Sequence, residues 1–251
     1  MSNLIEQVHS REWFYAYELP DGTTAPTYHG FDIQPIHDTR WRMLDRCLDD
    51  RIGQDRGNLS ALDLASHQGW FAVNMARSGF GEVQGIDARD SHVEDSSLIG
   101  SVYGLDNLSF RQGNVHHLEP DATGTFDVVL MLGLLYHLEN PIGALRTCRA
   151  LCRNLCVIET QIVPGMSGHV DYGSYQYVKE LKGSFGIVDE TMETHGPEAS
   201  VTGICLVPSL DALVWILHAV GFSKVDVLEP PEDAYEQLKY HKRVMVAAQV
   251  L

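Results

Sequence analysis

Several short stretches of this 251-residue chain carry side chains able to bind or react. Residues 59–71 read Leu-Ser-Ala-Leu-Asp-Leu-Ala-Ser-His-Gln-Gly-Trp-Phe, an apolar run, a turn of small residues and the start of a helical pattern. Strand, tight turn and helix in that order aim backbone N–H groups and the positive end of a helix at one point, which suits an anionic or polar ligand group. Asp63 lies inside the apolar run, and Asp87 ends a second apolar segment, Glu82 to Ile86. A carboxylate there is placed to accept hydrogen bonds from a ribose, so the ligand is read as a nucleoside. Tyr136 and His137 follow a third buried run, Phe126 to Leu132. Histidine is the side-chain type suited to act as general base on a hydroxyl, so His137 is read in that role, and its alternative is a structural histidine bonded to nearby backbone.

These residues need a frame to hold them. Residues 38–48 have helical spacing (Trp41, Leu44, Cys47, Leu48), with Asp38 or Thr39 as a cap. Strand and helix patterns then alternate: helix 71–77, strand 83–86, helix 91–103, strand 108–112, strand 126–132, helix 141–151 and strand 155–162. Residues 208–220 read as helix, and 222–228 and 243–250 as strands. This rhythm predicts an α/β fold, a doubly wound, mostly parallel seven-stranded sheet of Rossmann-like type. The link 229–242 holds no crossover helix, so the last strand is expected antiparallel to its neighbour. Residues 1–38 form an aromatic N-terminal accessory segment, either a lid over the ligand or a strap over apolar surface. Residues 39–251 form the main domain, interrupted at 164–206 by an insertion that is expected to cap the substrate site.

Composition narrows the function classes. The chain carries 18 basic and 34 acidic residues, a net charge of −16, which disfavours a nucleic-acid partner. Its five cysteines are an odd number in a large chain, so no disulfide framework is expected. Cys148, Cys152 and Cys156 recur at helical spacing but read as buried thiols, with no metal site assigned. No apolar run is long enough for a membrane span and no signal-peptide pattern opens the chain, so a cytoplasmic protein is expected.

The loop itself selects among nucleotides. A dinucleotide fingerprint counted from Ala65 would put Trp70 where a small residue must let the pyrophosphate approach. Taken instead as Asp63-x-Ala65-x-His67-x-Gly69, the stretch resembles the first motif of class I S-adenosylmethionine-dependent methyltransferases, with Ala65 and His67 replacing two glycines. Asp87, Gly113-Asn114-Val115 and Phe126-Asp127-Val128-Val129 follow in the family's order. Residues 131–141, Met-Leu-Gly-Leu-Leu-Tyr-His-Leu-Glu-Asn-Pro, are similar to a segment of the tRNA wobble-uridine carboxymethyl transferases and their small-molecule relatives. Asp38-Thr39-Arg40-Trp41-Arg42, Ile158-Glu159-Thr160 and Val207-Pro208-Ser209 look similar to that group as well. The tRNA enzymes' lysine before the first helix has no counterpart in Thr23-Thr24-Ala25-Pro26-Thr27.

The resemblance implies S-adenosylmethionine as cofactor, held by Asp63, Ala65, Ser66, His67, Gly69, Trp70, Asp87, Ala88, Asn114, Val115, Leu132 and Tyr136. Asp87 would bind the ribose, Asn114 the adenine amino group, and the amides of residues 66–69 the methionyl end. His137 is the catalytic candidate. The expected reaction is methyl transfer to O, N or C of a small-molecule acceptor. The alternatives are a tRNA-modifying transferase and a non-catalytic cofactor-binding protein. A homodimer is compatible with this reading. His116 and His117 are expected in a surface loop or over adenine. His169, Tyr172, Tyr175, Tyr177 and His195 are candidates for the acceptor pocket, or else ordinary loop packing; metal binding by His169, Asp171 and His195 has no diagnostic spacing.

Overall fold

The computed structural model describes residues 2–28, 33–170, 173, 179–191, 193, 199–200 and 202–250. Among the readings above, Phe31, Asp171, Tyr172, Tyr175, Tyr177 and His195 lie outside the described residues.

Strands β1 (Ser60–Leu64), β2 (Glu82–Asp87), β3 (Leu108–Gln112), β4 (Phe126–Leu132) and β5 (Cys152–Gln161) are parallel. With β10 (Lys224–Leu228) and β11 (Arg243–Gln249) they make a seven-stranded sheet ordered β10-β11-β5-β4-β1-β2-β3. Strand β11 inserts between β5 and β10 and runs antiparallel to both. The predicted Rossmann-like fold is therefore present, with the final strand reversed.

The sheet is covered on both faces because alternate residues of each strand point to opposite sides. Val128, Leu130, Leu155, Val157, Met245 and Ala247 pack into one apolar layer with helices α2 (Gln34–Ile52), α3 (Trp70–Arg77) and α4 (Asp90–Tyr103). Val129, Met131, Cys156, Ile158, Val244 and Val246 pack into the other, under α6 (Pro141–Leu151) and α7 (Leu210–Ala219). Cys148, Cys152 and Cys156 are buried in this second layer, and burial pushes the Cys152 thiol up to about 12. Among the described residues no group of three or more His, Cys, Asp or Glu is arranged to hold a metal ion, and no helix is long and apolar enough to cross a membrane.

Four expectations differ in position. Helix α2 starts at Gln34, with Pro35 in its first turn, so Asp38 and Thr39 are interior. The Thr39 hydroxyl donates to Pro35 O at 2.9 Å in place of capping. Strand β5 starts at Cys152, directly after α6; the polar pair Arg153 and Asn154 disguised its entry, Arg153 donating to Asp127 Oδ2 of β4 at 2.7 Å. Helix α7 starts at Leu210, and its cap is Ser209, which accepts from Ala212 N–H at 3.3 Å. Among its described residues the insertion carries two strand pairs: β6 (His169–Val170) pairs with β7 (Lys179–Glu180), and β8 (Phe185–Asp189) with β9 (Ile204–Pro208).

The N-terminal segment begins with α1 (Ser2–His9) and folds back on itself, with Trp13 N–H donating to Pro26 O and Ala25 N–H to Tyr17 O. Trp13, Tyr15, Tyr17 and Leu19 are buried on the first layer. Its anchor is Gln68 of the turn after β1, whose Oε1 accepts from Phe14 N–H and whose O accepts from Tyr17 O–H, both at 2.6 Å.

Candidate functional site

Parallel strands end together, so the turns after β1, β2, β3 and β4 converge on one edge of the sheet. There they enclose a cavity of about 880 Å³, walled on the outside by the N-terminal segment, the start of α2 and the insertion.

Ala65 and His67 have left-handed backbone, φ 56° and 52°, and Gly69 follows at φ 89°. The two residues that replace the motif's glycines thus keep a glycine-type backbone, at a cost of about 1–2 kcal/mol each. At Gly69 a side chain has no room in any case, since a Cβ would lie 2.7 Å from the Phe110 ring and 2.8 Å from Ser96 Cβ. The loop's amides are used inside the fold: Ser66 N–H donates to Ile86 O, Gly69 N–H to Ser66 O, and His67 N–H to Asp87 Oδ2. In this structure the amides of Ser66, His67 and Gly69, expected near the methionyl end, are thus paired within the fold. The His67 ring lies on the His92 ring, 3.9 Å between centroids, and lines the cavity.

Asp87 lies on the cavity wall, 6% exposed. Burial opposes its charge, but His92 Nδ1 at 3.1 Å and the amides of Arg89 (2.9 Å) and His67 (2.8 Å) outweigh it. They hold the carboxyl below the usual carboxylate range. Ala65, Ala88, Val115, Leu132 and Tyr136 line the same cavity, as does Asn114, whose Oδ1 accepts from His116 N–H at 3.0 Å. His116 is in the wall and His117 is exposed.

Asp63, Ser66, Gly69 and Trp70 are not in that wall. Trp70 stacks on Tyr15 (5.8 Å, 14° between planes) and meets Trp41 edge-on, so it anchors the N-terminal segment. Asp63 is 3% exposed and its Oδ2 has no hydrogen-bond partner. Burial, aided by Asp87 and opposed by Arg40, pushes its carboxyl up to about 7.

At the β4 end Gly133, at φ 81°, lets Arg40 of α2 pass beneath the chain; a Cβ there would be 3.0 Å from Arg40 Nη2. Arg40 Nη2 pairs with Glu159 at 2.8 Å, and Arg243 Nε meets the same carboxylate at 2.5 Å. Glu159 is fully buried; the two guanidiniums overcome burial and hold it below the ordinary carboxylate range. Arg243 also donates from Nη2 to Tyr136 O–H at 2.9 Å and lies 4.7 Å from the centre of its ring. Because β11 is antiparallel, its first residue arrives at the edge where the parallel strands end, opposite Gln161. Sequence reasoning gave Arg40 and Glu159 no role and missed Arg243; the available signal was a charged residue inside the buried run of β5.

His137 lines the cavity at the end of a short helical turn, Leu135–His137. Its Nδ1 is 2.5 Å from Glu190 Oε2, a residue of the insertion that sequence reasoning also missed. Phe14 and Tyr15 of the N-terminal segment and Ser200 and Thr202 of the insertion complete the wall.

Residues 28–227 match the family described as a methyltransferase domain. The chain is 27% identical over 226 residues to a tRNA U34 carboxymethyltransferase of Desulfotalea psychrophila, covering 88% of this chain and 62% of that protein. It is 32% identical over 137 residues to a ubiquinone biosynthesis O-methyltransferase of Caulobacter vibrioides, covering 53% of this chain and 52% of that one. The chain thus spans less than two thirds of the length of either relative. Among solved structures, the N-terminal domain of EvdMO1, determined in the presence of SAH and D-fucose, matches with a TM-score of 0.69 at 20% identity, over 100% of this chain and 96% of that one, a likeness of fold. The motif order, the sheet with its reversed strand and the domain match agree: the chain belongs to the class I S-adenosylmethionine-dependent methyltransferases.

Proposed function

We propose that this chain methylates a hydroxyl oxygen of a small-molecule acceptor, with His137 as general base. The observation that carries the reading is that His137 and the ionised Asp87 line one cavity, at the ends of β4 and β2. The residues present fit the family's cofactor. Asp87 is a buried acceptor for ribose hydroxyls, Ala88, Val115 and Leu132 offer apolar surface to a flat ring, and Asn114 is at the polar rim. Bound S-adenosylmethionine supplies an electrophilic methyl group that carries its own leaving group. The protein's part is then to place the acceptor oxygen, exclude water and remove a proton. His137 Nε2 would take the hydroxyl proton, while Phe14, Tyr15, Ser200 and Thr202 would wall the acceptor from solvent.

The test begins with calorimetry using S-adenosylmethionine; no binding to the wild-type chain would end the methyl-transfer reading. Asp87→Ala should weaken binding by about 1–3 kcal/mol, the usual cost of leaving polar partners unpaired. Transfer of labelled methyl to a panel of hydroxylated small molecules, D-fucose among them, should depend on His137, and His137→Ala should lower turnover about 10²–10⁴-fold. Binding without transfer across the panel would favour a non-catalytic role.

A second reading, action on tRNA, is favoured by the 88% of the chain that aligns with the tRNA U34 carboxymethyltransferase. The net charge of −16 opposes it. A shift of bulk tRNA on a gel at low salt would revive it.

A further inference from the structure

We propose that Glu190, contributed by the insertion, is a positioning residue that fixes the tautomer of His137, so that Nε2 is the atom offered to the acceptor. The proposal rests on the reading of His137 as general base. Glu190 follows β8 and is 4% exposed. Its Oε2 accepts from Ser200 N–H and from the Cys205 thiol, both at 3.2 Å. An ionised carboxylate can only accept, so opposite it the 2.5 Å contact is made with the hydrogen on Nδ1. In a neutral imidazole the lone pair then belongs to Nε2, the nitrogen that can take a proton.

The backbone holds this arrangement rigidly. Glu190 N–H donates to Gly203 O at 2.9 Å, and Leu206 N–H of β9 donates to Leu138 O at 3.0 Å, one residue beyond His137. The carboxylate, the strand pair that carries it and the turn that carries the imidazole are therefore one hydrogen-bonded block. A buried carboxylate is costly unless satisfied, and it persists here because three donors converge on one oxygen. A plain staple between insertion and domain would need none of this to be centred on an imidazole in the cavity wall. Ser200, which donates to Glu190, lines the same cavity.

The test is nitrogen NMR of the ring in protein labelled with ¹⁵N-histidine, the His137 signal being assigned by its loss in His137→Ala. Wild-type protein at neutral pH should show Nδ1 protonated and Nε2 bare. The opposite tautomer would overturn the proposal, and this spectrum needs no change at Glu190 and no acceptor. Glu190→Ala, which removes the acceptor of Nδ1, should let the hydrogen distribute over both ring nitrogens, with S-adenosylmethionine affinity unchanged; an unaltered ring spectrum in that variant would also refute the proposal. If the variant does not fold, the wild-type spectrum decides alone. With an acceptor from the panel, Glu190→Ala should lower kcat about 10–100-fold with little change in KM, the range seen when an orienting partner is lost. Failure of wild-type protein to bind S-adenosylmethionine would sink the functional reading and leave the tautomer result standing, so the two outcomes are separable.

Discussion

Ala65 and His67 occupy backbone that an L-residue enters at a cost, φ 56° and 52°. At Ala65 nothing but a methyl group is at stake, so Ala65→Gly should raise stability. The gain is about 0.5–1 kcal/mol once the greater freedom of glycine in the unfolded chain is subtracted, read from urea unfolding. His67 differs, because its ring lies on His92. Asp63 gives a pH signature. Its carboxyl titrates at about 7 when folded, against about 3.9 unfolded. Between those values the native state binds the extra proton, so this group makes stability fall as pH rises from about 4 to 7. Asp63→Asn should flatten that window in unfolding measured against pH. It should also gain a few kcal/mol over wild type at pH 8, since each tenfold difference in proton affinity between the folded and unfolded states is worth roughly 1.4 kcal/mol. Asp87 works oppositely and lower: its contribution is present above the unfolded value and is lost as pH falls through its depressed folded value. The motif's spacing was legible in the sequence, but its division of labour was not. Whether a loop amide faces a ligand or a neighbouring strand depends on β2, which meets the loop only after folding.

The elements that close the site came from reversals of chain direction. Strand β11 arrives antiparallel and thereby sets Arg243 beside Glu159, where Arg40 comes in from α2. Removing the shared carboxylate leaves two buried guanidiniums facing each other, so Glu159→Ala should destabilise the protein by about 3–5 kcal/mol in denaturant unfolding. The triple variant Glu159→Met, Arg243→Met and Arg40→Met should be less impaired than Glu159→Ala alone, because an unpartnered buried charge is what costs. Periodicity located β11 and its reversal, from the lack of a crossover helix in 229–242. It could not supply the register, and the register is what pairs Arg243 with Gln161 and brings it to the edge. The N-terminal segment touches both the sheet and the cavity. Its buried aromatics strap the first apolar layer, while Phe14 and Tyr15 wall the cavity.

Across the whole molecule, 34 acidic side chains face 18 basic ones. Such an excess repels itself, and salt screens that repulsion within about 8–10 Å near physiological strength. The melting temperature should therefore rise between about 10 mM and 150 mM salt; a fall would mean that ion pairs such as Arg56–Asp49 outweigh the net repulsion. The sequence by itself determined the alternating α/β order, the reversed last strand, and the residues Asp87, Asn114, Tyr136 and His137 at the strand ends. Each of these follows from local spacing and from the rule that parallel strands end together. The tertiary structure alone decided which side chains share a wall. Glu190 is 53 residues from His137, Arg243 is 84 from Glu159, and Gln68 is 54 from Phe14. Contacts across such separations are set by register and by the packing of an insertion, and hydrophobic periodicity carries no record of either.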